Sequence, residues 1–195
     1  MGKNYKDRSD KRYDPFDDVI MTELESIQAK NRRRIKFVVF NGVIAAIYAA
    51  LTYFLAPISY GPIQARISEV MTVFPIFSGP TIVGLSLGCL ISNLINPESL
   101  GPVDIIGGTL ATVLGGIFSY LIGKKNKWLG VISPIIANGL IVGGYLPFLL
   151  FDTVTWQSVA FTMLTVAGGE AVVLIVLGLP LVAVLEKTGL KSKLP

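Results

Sequence analysis

YGPIQARISEVMTVFP, residues 60–75, is the stretch whose reading decides the fold. The turn Tyr60-Gly61-Pro62 leads into a run with helical spacing that carries Arg66 and Glu69 among apolar residues. Long apolar segments lie on both sides of it. A lone charge at the centre of a membrane helix costs about 2.5–3.5 kcal/mol on insertion scales, so charges here need a reason. Either the run stays outside the membrane and the chain has five spans, or it enters and the chain has six.

The distribution of charge chooses between them. The 195-residue chain is 52% hydrophobic and 15% charged, against about a quarter charged in soluble domains. Of its 17 Lys and Arg, all but Arg66 fall in residues 1–36, in the 123–128 connection (Lys124, Lys125, Lys127) or after residue 186 (Lys187, Lys191, Lys193). Such clusters stay on the cytoplasmic side. Six spans, at 37–56, 64–77, 79–95, 103–122, 129–150 and 158–185, put all three there. Dropping 64–77 leaves the C-terminal lysines outside. The expected fold is therefore all-α, a polytopic six-transmembrane-helix bundle over residues 37–186. A polar cytoplasmic N-terminal extension (1–36) precedes it, and a cytoplasmic tail (187–195) follows.

The extension has its own helix signals. Asp14 before Pro15 is an N-cap acid with proline at the first helical position. Ile20, Leu24 and Ile27 then recur at helical spacing on an otherwise polar segment, as a surface helix or a docking element would. Arg32, Arg33, Arg34 and Lys36 close it at headgroup level, where each basic residue gains about 1 kcal/mol from anionic lipid. The apolar run starts only at Phe37 and is too long for a signal-peptide core. The basic pI thus speaks to membrane orientation and not to nucleic acid.

Composition also removes chemistry. With no histidine and one cysteine, Cys89 in an apolar run, the chain lacks imidazole metal ligands, Ser-His or Cys-His nucleophile pairs and an internal disulfide. No metal site and no cofactor is expected. An intramembrane enzyme would be left with carboxylates alone.

Polar residues at membrane depth face a bundle interior or a cavity. They are Gln64, Arg66, Glu69, Asn93, Asp104, Asn138 and Glu170. Asn138 lies about 14 Å above the inner edge of its span and Glu170 about 18 Å below the outer edge of its own, at 1.5 Å per residue. In a core about 30 Å thick both reach the midplane. The set outlines a pocket open to the outside, with Tyr145, Tyr60 and Trp156 as candidate flat faces. Structural alternatives stand beside this. Arg66 and Glu69, three apart, can neutralise each other, and Asn93 and Asn138 can be interhelical hydrogen-bond glue. Three acids against one arginine favour a ligand rich in donors or positive charge.

Small residues recur four apart. Gly42, Ala46 and Ala50, with Ala45 and Ala49 alongside, form the densest stripe; Gly84/Gly88, Gly107/Ala111/Gly115 and Gly139/Gly143 follow. Such stripes let helix backbones approach closely, inside the bundle or against another protein.

Three motifs carry a resemblance: GPIQARISEVMTVFPIF (61–77), GCLISNLINPESLGPVDIIGGTLAT (88–112) and ANGLIVGGYLP (137–147). From about Gly42 to the C-terminus the chain resembles the queuosine-precursor transporter (QueT) family, substrate-binding S-components of energy-coupling factor (ECF) transporters. The resemblance implies a six-helix membrane subunit that binds a 7-deazaguanine from outside. Its partners would be a transmembrane coupling protein and two cytoplasmic ATPases, which hydrolyse the ATP. It also implies that an alanine stripe on the first helix contacts the coupling protein, which Ala45/Ala49 and Ala46/Ala50 match. A deazaguanine offers an N–H edge, a carbonyl and a flat face, and an aminomethyl form adds a cation. Glu170 or Glu69 suits the edge and Asp104 the mouth. The competing expectation is an autonomous proton-coupled carrier with Glu69, Asp104 and Glu170 as its relay.

Overall fold

A computed structural model describes residues 15–59, 65–96 and 100–194. The described residues are helical, without a strand. The elements are α1 (Pro15–Phe54), α2 (Ala56–Ser59), a 3₁₀ helix (Ile67–Ile76), α3 (Thr81–Ile95), α4 (Pro102–Gly123), α5 (Lys127–Tyr145), α6 (Pro147–Leu150), α7 (Trp156–Val173), one π-helical stretch (Leu174–Gly178), α8 (Leu179–Lys187) and a last 3₁₀ turn (Leu190–Lys193). Contacts divide the chain into residues 1–36 and 37–195. In the first unit Phe16, Ile20, Leu24 and Ile27 are exposed. Asp14, Tyr60, Gln64 and the loop Pro97-Glu98-Ser99 lie outside the described residues.

Among the described residues, four helices are long and apolar enough to cross a membrane: Asp18–Phe54, Pro102–Gly123, Lys127–Leu150 and Trp156–Lys187. The other two expected spans are shorter, Ile67–Ile76 and Thr81–Ile95. At about 2.0 Å per 3₁₀ residue and 1.5 Å per α residue they cover roughly 20 and 22 Å, less than a ~30 Å core.

The 67–76 segment differs from expectation in its helix type. At three residues per turn, side chains i and i+3 eclipse, so its residues sort into three columns. Arg66 heads Glu69 and Thr72 on a polar column. Ser68, Met71 and Phe74 form a second, meeting α1 and α3: the Ser68 and Thr52 hydroxyls are 2.6 Å apart, and Met71 joins Ile44, Tyr48, Leu85 and Cys89. Val73 and Ile76 form the third, packed with Val131, Leu174, Val182 and Leu185. Seven of its ten residues are buried. Pro75, which cannot donate to a backbone ladder, sits inside it. The segment is the centre of the bundle and not one of its lipid-facing walls.

Around it, α1 buries Asn41, Ile44, Ala45, Tyr48, Ala49 and Thr52, the i, i+3, i+4 stripe of an amphipathic helix. Asn41 does more than pack. The first turn of α3 has no side-chain cap of its own, and Asn41 Oδ1 accepts the Gly84 N–H at 2.7 Å, supplying an acceptor at a helix start. At Gly84 and Gly88 an added Cβ would stand 2.7 Å from Asn41 and Tyr48 respectively, so only glycine permits this approach.

The small-residue stripes are therefore mainly internal. Ala45 and Ala49 are buried, with Ala45 backbone 3.0 Å from the Gly88 Cβ position. The expectation that all four alanines meet another chain is corrected for these two, whose face is covered by α3. Ala46 and Ala50 are exposed. Gly143 meets Met163 backbone and its carbonyl accepts from Thr162 at 2.7 Å, fixing α5 to α7.

At one end of the bundle an ion pair joins Lys127 to Glu186, Lys124 lies over the Tyr120 ring, and Ile76 packs on Gly123 and Gly130. The central segment thus runs from the level of Thr52 to the lysine-bearing end.

Candidate functional site

Arg66, Glu69, Asn138 and Glu170, with Val166, surround one cavity. The four polar residues come from the central segment, α5 and α7, and are 3–6% exposed. The two depths counted from opposite edges therefore converge on one place. The local backbone explains how. Glu69 follows Arg66 by one 3₁₀ turn, so both project to the same side. Glu170 lies just before the π-helical stretch; Pro180, at the start of α8, has no N–H for the regular i→i−4 bond, and the wider turn accommodates the gap.

Each carboxyl is half satisfied. Tyr48 Oη donates to Glu69 Oε1 at 2.5 Å, and the Asn138 amide lies beside Glu170. Glu69 Oε2 and Glu170 Oε1 are buried without a hydrogen-bond partner. A buried acceptor left unmade costs about 1–3 kcal/mol, and such groups in a native site call for an explanation. Tyr48 is fully buried on α1. Sequence reasoning missed it, because a tyrosine in an apolar helix reads as core or interface until its partner is known.

A second polar group adjoins the first. Tyr145 Oη donates to Asp104 Oδ1 at 2.6 Å, and Asp104 Oδ2 accepts the Leu100 N–H at 3.4 Å. Asn93 Nδ2 donates to the Asp104 backbone carbonyl at 3.4 Å, joining α3 to α4. Gly101 (φ 89°) and Pro102 set up the start of α4; glycine tolerates that φ and proline suits the first helical position. Arg66 links the two groups. Its Nε donates to the Ser59 carbonyl at 3.1 Å, and Gly108 sits where an added Cβ would meet Asn93, Tyr145 and Arg66. Trp156 is 76% exposed and takes no part in either group; Gln64 and Tyr60 are outside the described residues.

The cavity measures about 10 Å³, room for about one water and not for a ring. Tyr48 on Glu69, Asn138 beside Glu170 and Tyr145 on Asp104 draw the polar side chains onto one another and fill the space between the helices. No cluster of metal-ligating side chains is found among the described residues.

With this geometry in place, kinship can be set beside it. The family sequence model described as "QueT transporter" matches residues 38–187. The chain belongs to the QueT transporter family. It is similar to the queuosine precursor transporter QueT of Lactococcus lactis subsp. cremoris (strain MG1363), 31% identical over 127 residues, or 64% of this chain and 70% of that relative. No solved structure matches. The QueT match takes in every residue of both polar groups and begins just after the 1–36 unit. A transporter family and several long apolar helices make this a multi-pass membrane protein.

Proposed function

We propose that this chain is the substrate-binding S-component of an ATP-driven ECF-type importer that takes up a 7-deazaguanine queuosine precursor. One observation carries the reading: in a QueT-family chain, two buried carboxyls with unmade acceptors share a cavity with an amide and one arginine. Carboxylates and amide oxygens satisfy the N–H edge of a guanine-like ring. The relative's name, a queuosine precursor transporter, points to the same substrate class.

In this reading the chain sits in the cell membrane with six spans and both termini cytoplasmic. The central segment is the short second span, supported by its run from Thr52 of α1 to the lysine-bearing end. Glu69 and Glu170 take the donor edge, Asn138 the carbonyl, and Tyr145 with Asp104 and Asn93 close the site on the side of the α3–α4 connection. The ring enters by parting these contacts. Energy comes from two partner ATPases through a transmembrane coupling protein that docks on the Gly42, Ala46, Ala50 face of α1; this chain needs no cofactor.

Mass spectrometry of small molecules released from the purified protein is the deciding measurement, with a 7-deazaguanine expected. Another metabolite in stoichiometric amount overturns the substrate assignment. Vesicles holding this chain alone test the coupling: uptake driven by a pH gradient without ATP would make it a proton-coupled carrier instead.

A further inference from the structure

At the lysine-bearing end of the bundle, α5 and α8 enclose another cavity, of about 130 Å³. We propose that it is a binding site for an anionic phospholipid, with part of an acyl chain in the groove and the phosphate among the lysines at its mouth. The site is separate from the polar cavity and independent of what that cavity carries.

The local sequence builds the groove. Asn126 Oδ1 accepts the Trp128 and Leu129 N–H groups at 3.0 and 3.3 Å, which fixes the first turn of α5. Lys127 and Val131, four apart, then share a face. On α8, Val182, Ala183 and Glu186 recur at helical spacing on the facing wall. Val131 and Val182 are buried and make an apolar floor. Lys127 and Glu186 form an ion pair at the mouth, and Trp128, on the same rim, is 67% exposed.

Three observations select the ligand. The space is far more than one water occupies, and an apolar floor gives water no partners, so in a membrane a hydrocarbon chain fills it. Tryptophan and lysine belong at the membrane–water boundary, which sets the mouth at headgroup depth. Charge then names the headgroup. Residues 123–128 and 186–193 hold six lysines and one acid, Glu186, and such clusters attract anionic lipid. Glu186 competes with a phosphate for Lys127. A free phosphate would use the lysines but leave the groove unfilled.

Quenching of Trp128 fluorescence by lipids with brominated chains tests this. Trp156→Phe removes the other tryptophan, an exposed ring outside both polar groups. In phosphatidylcholine nanodiscs, brominated phosphatidylglycerol should out-compete brominated phosphatidylcholine for the site by roughly fivefold, the gain that one near-surface lysine supplies. Lys127→Gln should lower that preference and Glu186→Gln should raise it. Ala183→Leu, at an exposed wall position, fills the groove without altering any charge and should also lower it. Equal quenching by the two lipids overturns the proposal. So does a preference that survives Ala183→Leu, because the lysines would then act only as a charged surface. Loss of quenching when soluble glycerol phosphate is added overturns it too, since the ligand would be a free phosphate. Native mass spectrometry of the unaltered protein makes the same comparison without any substitution: phosphatidylglycerol adducts should outlast phosphatidylcholine ones, and equal retention refutes the site.

Discussion

Tyr48 and Glu69 illustrate how one hydroxyl sets what a carboxylate presents. The phenol occupies Oε1 and leaves Oε2 facing the cavity without a partner. Tyr48→Phe removes the donor without changing the ring, so both oxygens become buried acceptors without partners. The expected cost is about 1–3 kcal/mol of stability, read as a lower thermal midpoint in detergent, with weaker ligand binding alongside. An unchanged midpoint would mean that Glu69 finds another donor at no cost. Glu170 works from the opposite wall, and Glu170→Ala should weaken binding of a 7-deazaguanine by about 2–5 kcal/mol, the range for losing one partner of a buried charge contact. Unchanged calorimetric affinity would remove it from the site. The Asn138–Glu170 meeting was legible in the sequence because depth follows from counting 1.5 Å per residue from two span edges. Tyr48 was not, since its role depends on which face of α1 turns towards residue 69, and sequence spacing does not relate two separate elements.

Among elements, the central segment and the glycine contacts are where pattern and packing part company. Residues 67–76 read as an amphipathic α-helix because Arg66 and Glu69, three apart, fit a 3.6-residue repeat as well as a 3.0-residue one over so short a run. Burial on three sides distinguishes them: three eclipsed columns serve three neighbours. The glycine stripes were legible as close-packing devices, but their partners were not. This gives a prediction of opposite signs on neighbouring helices. At Gly143 an added Cβ would stand 2.5 Å from Met163 Cα, a backbone atom that cannot swing aside, so Gly143→Ala should destabilise by about 1–3 kcal/mol as overpacked cores do. At Gly168 nothing lies within 4 Å, so Gly168→Ala should stabilise α7 by roughly 0.5–1 kcal/mol through helix propensity alone. Thermal midpoints of the two variants that move together would refute this account of the α5–α7 contact.

For the whole molecule, hydropathy and packing single out different elements. Four long apolar helices follow from length and composition, whereas the 67–76 segment is short enough to be passed over by a window and is drawn into the bundle by its contacts. The same view separates the two faces of α1. Asn41, Ala45, Tyr48 and Ala49 are turned inward to α3 and to Glu69, while Gly42, Ala46 and Ala50 are exposed, with Val43 and Ile47 beside them. A helix whose inner face holds a site carboxylate and whose outer face is smooth can report on one partner while touching another. If the coupling protein docks on that outer face, as proposed, bulk there should block assembly and spare binding. Ala46→Trp adds an indole at a position with no inward contact to disturb, and Ala45→Trp adds it against the Gly88 backbone approach. The first should fold, bind a 7-deazaguanine with unchanged affinity, and lose the coupling protein and ATPases in a pull-down. The second should fail to fold. Recovery of the partners with Ala46→Trp would assign the exposed stripe to lipid and move the docking surface to another helix.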